Sequence, residues 1–156
     1  MTMSFEEQPR AYEGDSPGEC ARKLVDAGAD VVGVNCLRGP EQALPIVKEM
    51  RAAVSSYVVS QPVAYRTSPE KPDFTSLPEF PLALDPLQLT RADMANYARE
   101  AQSLGVNYIG SCCGSVAAHV KEMAKALGKL PETDRPWRID YTRPMSAYEY
   151  YGHGSS

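Results

Sequence analysis

Three cysteines stand where thiols could do chemistry. Cys36 ends the apolar run Val31-Val32-Gly33-Val34-Asn35-Cys36, and Cys112 and Cys113 follow Val106 to Gly110 in the stretch Ile109-Gly110-Ser111-Cys112-Cys113-Gly114-Ser115. Both runs stop where a helix is expected to begin. Zinc prefers soft thiolates in tetrahedral array, and three protein ligands leave a fourth position open for substrate. Such a site would take up an incoming thiol as thiolate, because coordination strongly lowers a thiol's pKa. That thiolate could attack an electrophilic carbon, such as a methyl group on a positively charged onium centre. Vicinal cysteines are too constrained to bridge each other comfortably, whereas Gly114 allows a sharp turn that would aim both at one metal. A plainer reading stands beside this one. Buried cysteines behave as small hydrophobes, and a single cysteine at 36 with a pair at 112 and 113 is a weaker metal signal than paired CxxC motifs. Cys20 falls on a helix face and reads as core.

The elements that must position these thiols alternate along the chain. Met1 to Ser4 reads as the tail of a strand, and Ser16-Pro17 as a helix start with a capping serine and proline at the first helical position. Cys20, Leu24 and Val25 keep helical spacing up to Ala27-Gly28. Asp30 to Cys36 is short and β-branched, as in a strand covered on both faces. A helix then restarts at Arg38-Gly39-Pro40-Glu41 and runs to about Ser55, with Leu44, Val47, Met50 and Val54 inward and Pro45 within its first turns. Tyr57 begins the next strand, which Pro62 ends near Gln61. Residues 66 to 89 hold Pro69, Pro72, Pro78, Pro81 and Pro86 with little periodicity, and a loop of that length inside a domain is usually functional. Thr90-Arg91-Ala92-Asp93 caps a helix whose stripe is Met94, Tyr97, Ala98, Ala101 and Leu104, ending at Gly105. The Val106 to Gly110 strand and a last helix from Ser115 follow, with Val116, Val120, Met123 and Leu127 expected on its buried face and Gly128 at its end. From Pro131 onward the sequence is polar, aromatic and Gly/Pro-punctuated, expected as a surface arm or disordered tail over 131–156.

Repeated βα units predict an α/β fold with a parallel sheet and right-handed crossovers. About four units make half of an eightfold (β/α)8 TIM barrel, and active-site groups on such sheets lie at the C-terminal strand ends, where all three cysteines fall. A free-standing half would leave two strand edges bare, so a homo-oligomer, or pairing with a full-length relative as a non-catalytic half-barrel, is the competing expectation. At 156 residues the chain holds one modest domain. Its net charge of −4 gives no electrostatic reason to bind nucleic acid or an anionic membrane surface. No apolar run reaches the roughly 18 residues of a spanning helix. Met1 to Glu7 has no basic region followed by an apolar core, so the four cysteines are expected as thiols in a reducing, cytoplasmic compartment.

At Gly33-Val34-Asn35-Cys36 and Gly110-Ser111-Cys112-Cys113-Gly114 the sequence resembles the homocysteine S-methyltransferase family, in its betaine-using branch. Ser16-Pro17-Gly18-Glu19-Cys20-Ala21, Ser60-Gln61-Pro62-Val63-Ala64-Tyr65, Leu77-Pro78-Glu79-Phe80-Pro81 and Asn96-Tyr97-Ala98-Arg99-Glu100-Ala101 extend the likeness over roughly residues 1 to 130. Ser111 departs from it, standing where a glycine is usual. The resemblance implies a (β/α)8 barrel of which residues 1–130 are the C-terminal half, beginning near the fifth strand. It implies a zinc ion held by Cys36, Cys112 and Cys113. It also implies methyl transfer from betaine to the homocysteine thiol, giving methionine and dimethylglycine, with S-methylmethionine as the alternative donor. Asn35, beside the first ligand, is a substrate-contact candidate, and its amide could equally cap the strand end. Without the half that carries most of the donor pocket, the partial chain is expected to bind zinc and turn over poorly alone.

Overall fold

Ser16 sets the first helix by a reciprocal pair of bonds: its hydroxyl accepts from the Glu19 N–H at 3.4 Å, and the Glu19 carboxylate accepts from the Ser16 N–H at 2.7 Å. Such a capping box satisfies two otherwise unpaired N–H groups at the helix start, and the backbone bond holds Glu19 below the usual carboxylate range. Thr90 and Asp93 repeat the device on a later helix, at 3.1 and 3.0 Å.

The computed structural model describes residues 1–130; the tail expected over 131–156 lies outside them. The order is β1 (Thr2–Met3), α1 (Pro17–Asp26), β2 (Val31–Asn35), α2 (Pro40–Ala53), β3 (Tyr57–Gln61), α3 (Arg91–Ser103), β4 (Tyr108–Ile109) and α4 (Ala117–Ala126). The strands form one parallel sheet in the order β1-β2-β3-β4, with Asn35 opposite Gln61 and Ser60 opposite Ile109. The parallel strands are joined by crossover helices, and successive helices pack on one another, α1 on α2, α2 on α3 and α3 on α4, over one face of the sheet. The architecture is therefore a partial (β/α)8 barrel. No helix of the described residues is long and apolar enough to cross a membrane.

The core lies between that face and the helices: Val32, Val34 and Val58 from the strands meet Cys20, Val47, Met50, Met94 and Tyr97 from the helices. Cys20 is buried there, as its helix position predicts. Tyr97 is completely enclosed, and its hydroxyl donates to Ser60, whose backbone carbonyl is at 2.8 Å and whose Oγ is at 2.9 Å. Burial pushes its pKa far up. Tyr97→Phe leaves Ser60 short of a partner in a dry core, and should cost about 1–2 kcal/mol. Urea unfolding would show a lower midpoint at unchanged slope; an unchanged midpoint would contradict the assignment.

Three expectations need correction. The segment 66 to 89 is not featureless: Phe74–Ser76 and Asp85–Leu87 form 3-10 turns, Asp73 caps the first through Thr75 N–H at 2.8 Å, and Phe74 is buried. The last strand is shorter than Val106 to Gly110. On α4, Val116 and Val120 are exposed, whereas His119 and Met123 are buried. The helix is rotated because His119 carries two polar anchors: Nδ1 accepts from Val116 N–H at 3.2 Å, which leaves Nε2–H to face the Leu89 carbonyl at 2.8 Å. Apolar spacing gave no weight to a histidine whose polar atoms are both satisfied inside.

Candidate metal centre

Cys36 stands one residue past β2. Its N–H donates to the Gln61 carbonyl at 2.9 Å, and then the chain reverses with Arg38 N–H returning to the Cys36 carbonyl at 2.7 Å. Cys36 and Leu37 both take left-handed backbone angles, φ +59° and +56°. Each costs on the order of 1 kcal/mol for a side chain with a Cβ, a strain that clusters at functional positions. The buried Arg38 holds the reversal in place. Its Nε donates to the Phe5 carbonyl at 3.0 Å and its Nη2 to the carbonyls of Glu6 and Glu7.

The vicinal pair is fastened to the segment after β3. Cys112 N–H donates to the Pro62 carbonyl and Ala64 N–H to the Cys113 carbonyl, both at 2.8 Å. Pro62 ends the strand, so its carbonyl is free for this second use. Ser111 adds a bond to the same acceptor at 3.1 Å, so its hydroxyl is spent on the loop's own backbone. Gly114 then turns at φ +77°, and a Cβ there would lie 2.6–2.9 Å from ring carbons of Tyr65. Glycine is required twice over. Gln88 Nε2 donates to its carbonyl at 2.5 Å. Gln88 carries no signal in the sequence, and Tyr65 is marked there only as the end of the Ser60–Tyr65 stretch; their roles come from packing across the sheet end.

These turns bring the predicted thiols together. Sγ of Cys113 is 3.5 Å from that of Cys36 and 4.0 Å from that of Cys112, and all three sulfurs lie within 4.8 Å of one another. Partial burial pushes the Cys112 thiol up, and pushes Cys113 up to about 12, with the neighbouring Cys36 sulfur adding to both. Burial and the charge of Cys113 also raise Tyr65, which places its phenol in the same neighbourhood. A cleft of about 470 Å³ between α2, residues 65–69 and α3 contains none of the thiols.

A family model described as homocysteine S-methyltransferase matches residues 1–127. The chain belongs to the homocysteine S-methyltransferase family. It is 49% identical to a betaine–homocysteine S-methyltransferase 1 of Mus musculus, over 73% of this chain and 30% of the relative. Against the protein of that name from Danio rerio it is 46% identical, over 78% and 33%. It is also 44% identical to an S-methylmethionine–homocysteine S-methyltransferase of Pongo abelii, over 74% and 34%. The chain thus spans about a third of the length of the curated relatives it matches.

The spacing of the three sulfurs bears on their fit to a zinc ion. A tetrahedral ion with bonds of about 2.3 Å to sulfur separates its sulfurs by about 3.8 Å. The observed 3.5 and 4.0 Å bracket that value. Three soft donors, none paired in a disulfide, fit the ion.

Proposed function

We propose that this chain carries the zinc-binding half of a methyltransferase that moves a methyl group from betaine to the thiol of homocysteine, giving methionine and dimethylglycine. The observation that carries the proposal is the convergence of Cys36, Cys112 and Cys113 at the C-terminal ends of β2 and β4. Zinc, when bound there, supplies the Lewis acidity that lowers the pKa of an incoming thiol. The substrate sulfur attacks the methyl carbon, the carbon–nitrogen bond breaks, and the nitrogen leaves as a neutral amine with the electron pair. The chain's residues hold and orient. The strained turn at Cys36 and the two bonds to the Pro62 carbonyl set the sulfurs in advance of any ligand. Asn35 offers an amide beside the first thiol for the substrate. The four free thiols support a reducing, cytoplasmic compartment.

Betaine is put before S-methylmethionine because relatives named for it share 45–49% of residues with this chain, against 44% for a relative of the other name. Loading the chain with zinc and supplying homocysteine with each donor in turn tests the reading. Methionine should form slowly with betaine and stop on adding a chelator. Absence of stoichiometric zinc in the folded chain would remove the metal assignment, and turnover with S-methylmethionine alone would reverse the choice of donor.

A second reading has its own observation: among the described residues, β1 and β4 each pair on one side only. A half-barrel with two open edges can associate with a second copy. Solution mass with and without chelator tests it, and a stable monomer would rule it out.

A further inference from the structure

Gln61 ends the central strand, between the two strand ends that carry the thiols. On one side it is in register with Asn35, and its carbonyl receives the Cys36 N–H. On the other lies Gly110, two residues before Cys112. Ser60 turns its hydroxyl to Tyr97 among the helices, so Gln61, the next residue, faces the opposite side of the sheet. There its side chain leans over Gly110: a Cβ at Gly110 would meet Cγ and Nε2 of Gln61 at 3.2 and 3.3 Å. The missing side chain of Gly110 is the space the amide occupies. Asn35 shares that face as the register partner of Gln61. Both residues are half-buried, and among the described residues neither side-chain amide has a hydrogen-bond partner. Two unpaired amides thus sit side by side, one of them flanked on both sides by the strand ends that lead into the three-thiol group.

We infer that the Asn35–Gln61 amide pair reads the amino-acid end of the thiol substrate. An amide offers both a donor and an acceptor. Its NH2 can therefore donate to an α-carboxylate while its oxygen accepts from an α-ammonium, which a simple alkyl thiol lacks. This rests on the proposed function above, and Gln61 is its new member. The pair selects substrate by its polar end, while the thiols act on its sulfur.

The test compares L-homocysteine with 1-propanethiol as ligands of the cobalt-loaded 156-residue chain, read by the change in the visible cobalt spectrum. Wild type should bind homocysteine roughly tenfold to a hundredfold more tightly, the range expected when hydrogen bonds to charged groups are made. Gln61→Met keeps the unbranched shape over Gly110, and should bring the ratio to within about threefold without altering propanethiol affinity or cobalt stoichiometry. Asn35→Leu, a second variant of similar size, should do the same. A wild-type chain that binds both thiols equally overturns this inference and leaves the metal reading standing. Both variants keeping the wild-type ratio, or losing affinity for both thiols alike, overturn it as well. A folded chain that binds neither cobalt nor thiol overturns both readings together.

Discussion

Cys113→Ser should strip zinc from the chain. Its sulfur lies 3.5 Å from that of Cys36 and 4.0 Å from that of Cys112, and a serine hydroxyl does not ionise near neutral pH to replace a thiolate. Structural zinc sites with four ligands bind with roughly 10–16 kcal/mol, so the loss of one ligand should weaken affinity about a hundredfold or more. Metal content after dialysis, and the thiolate-to-metal absorbance of the cobalt form, would show it; full retention of metal would defeat the assignment. The same thiol sets a pH dependence. Metal binding must displace the thiol protons, so affinity rises with pH. In the metal-free chain the sign reverses. The folded state raises Cys113 from 9.0 to about 12, so it holds the proton more tightly than the unfolded chain does. Its contribution to stability is fully present below pH 9.0 and is lost as pH climbs toward 12. The metal-free melting temperature should fall over that window, and less steeply in Cys113→Ser. Identical slopes for the two would show that the thiol has no such linkage.

Gly33→Ala should be the most damaging single methyl in the described chain. A Cβ there would lie 1.9 Å from the carbonyl oxygen of Val59 and 2.8 Å from its carbon, both backbone atoms of the adjoining strand. No rotamer relieves such a clash; β2 and β3 must part. Overpacking of this kind costs about 3 kcal/mol or more, which for a domain of this size lowers the melting temperature by roughly 10 °C. The damage reaches the site, because the same two strands hold Asn35 against Gln61 and tie Cys36 to the Gln61 carbonyl. Cobalt binding by whatever fraction stays folded should weaken too. Gly28→Ala is the control, since a Cβ there meets nothing within 4 Å; it should show only the smaller cost of a side chain at φ +97°. A Gly33→Ala chain that melts like wild type would mean that the strands are not packed as described.

The chain order was legible from residue types alone. Ser16-Pro17 and Thr90 with Asp93 mark helix starts by local hydrogen bonding, and β-branched runs mark strands, because capping and side-chain crowding act over a few residues. The same locality explains what was misread. Val116 and Val120 have helical spacing, yet α4 turns His119 inward because its partner, the Leu89 carbonyl, is thirty residues away. The proline-rich segment revealed its turns only once Leu37 was in place to receive the N–H of Phe74 at 2.9 Å.

The three thiols divide in the same manner. By itself the sequence determined that Cys36, Cys112 and Cys113 end apolar runs, and hence that they share one end of a parallel sheet. Whether they meet was decided by tertiary structure: the left-handed turn at Cys36, the Pro62 carbonyl shared by Ser111 and Cys112, and the Tyr65 ring over Gly114. Sequence spacing carries no information on contacts between residues 77 apart. For that reason the Ser60–Tyr65 stretch marked Gln61 as part of the likeness but gave its amide no role at the site. Its amide matters only because the sheet sets it between Asn35 and Gly110.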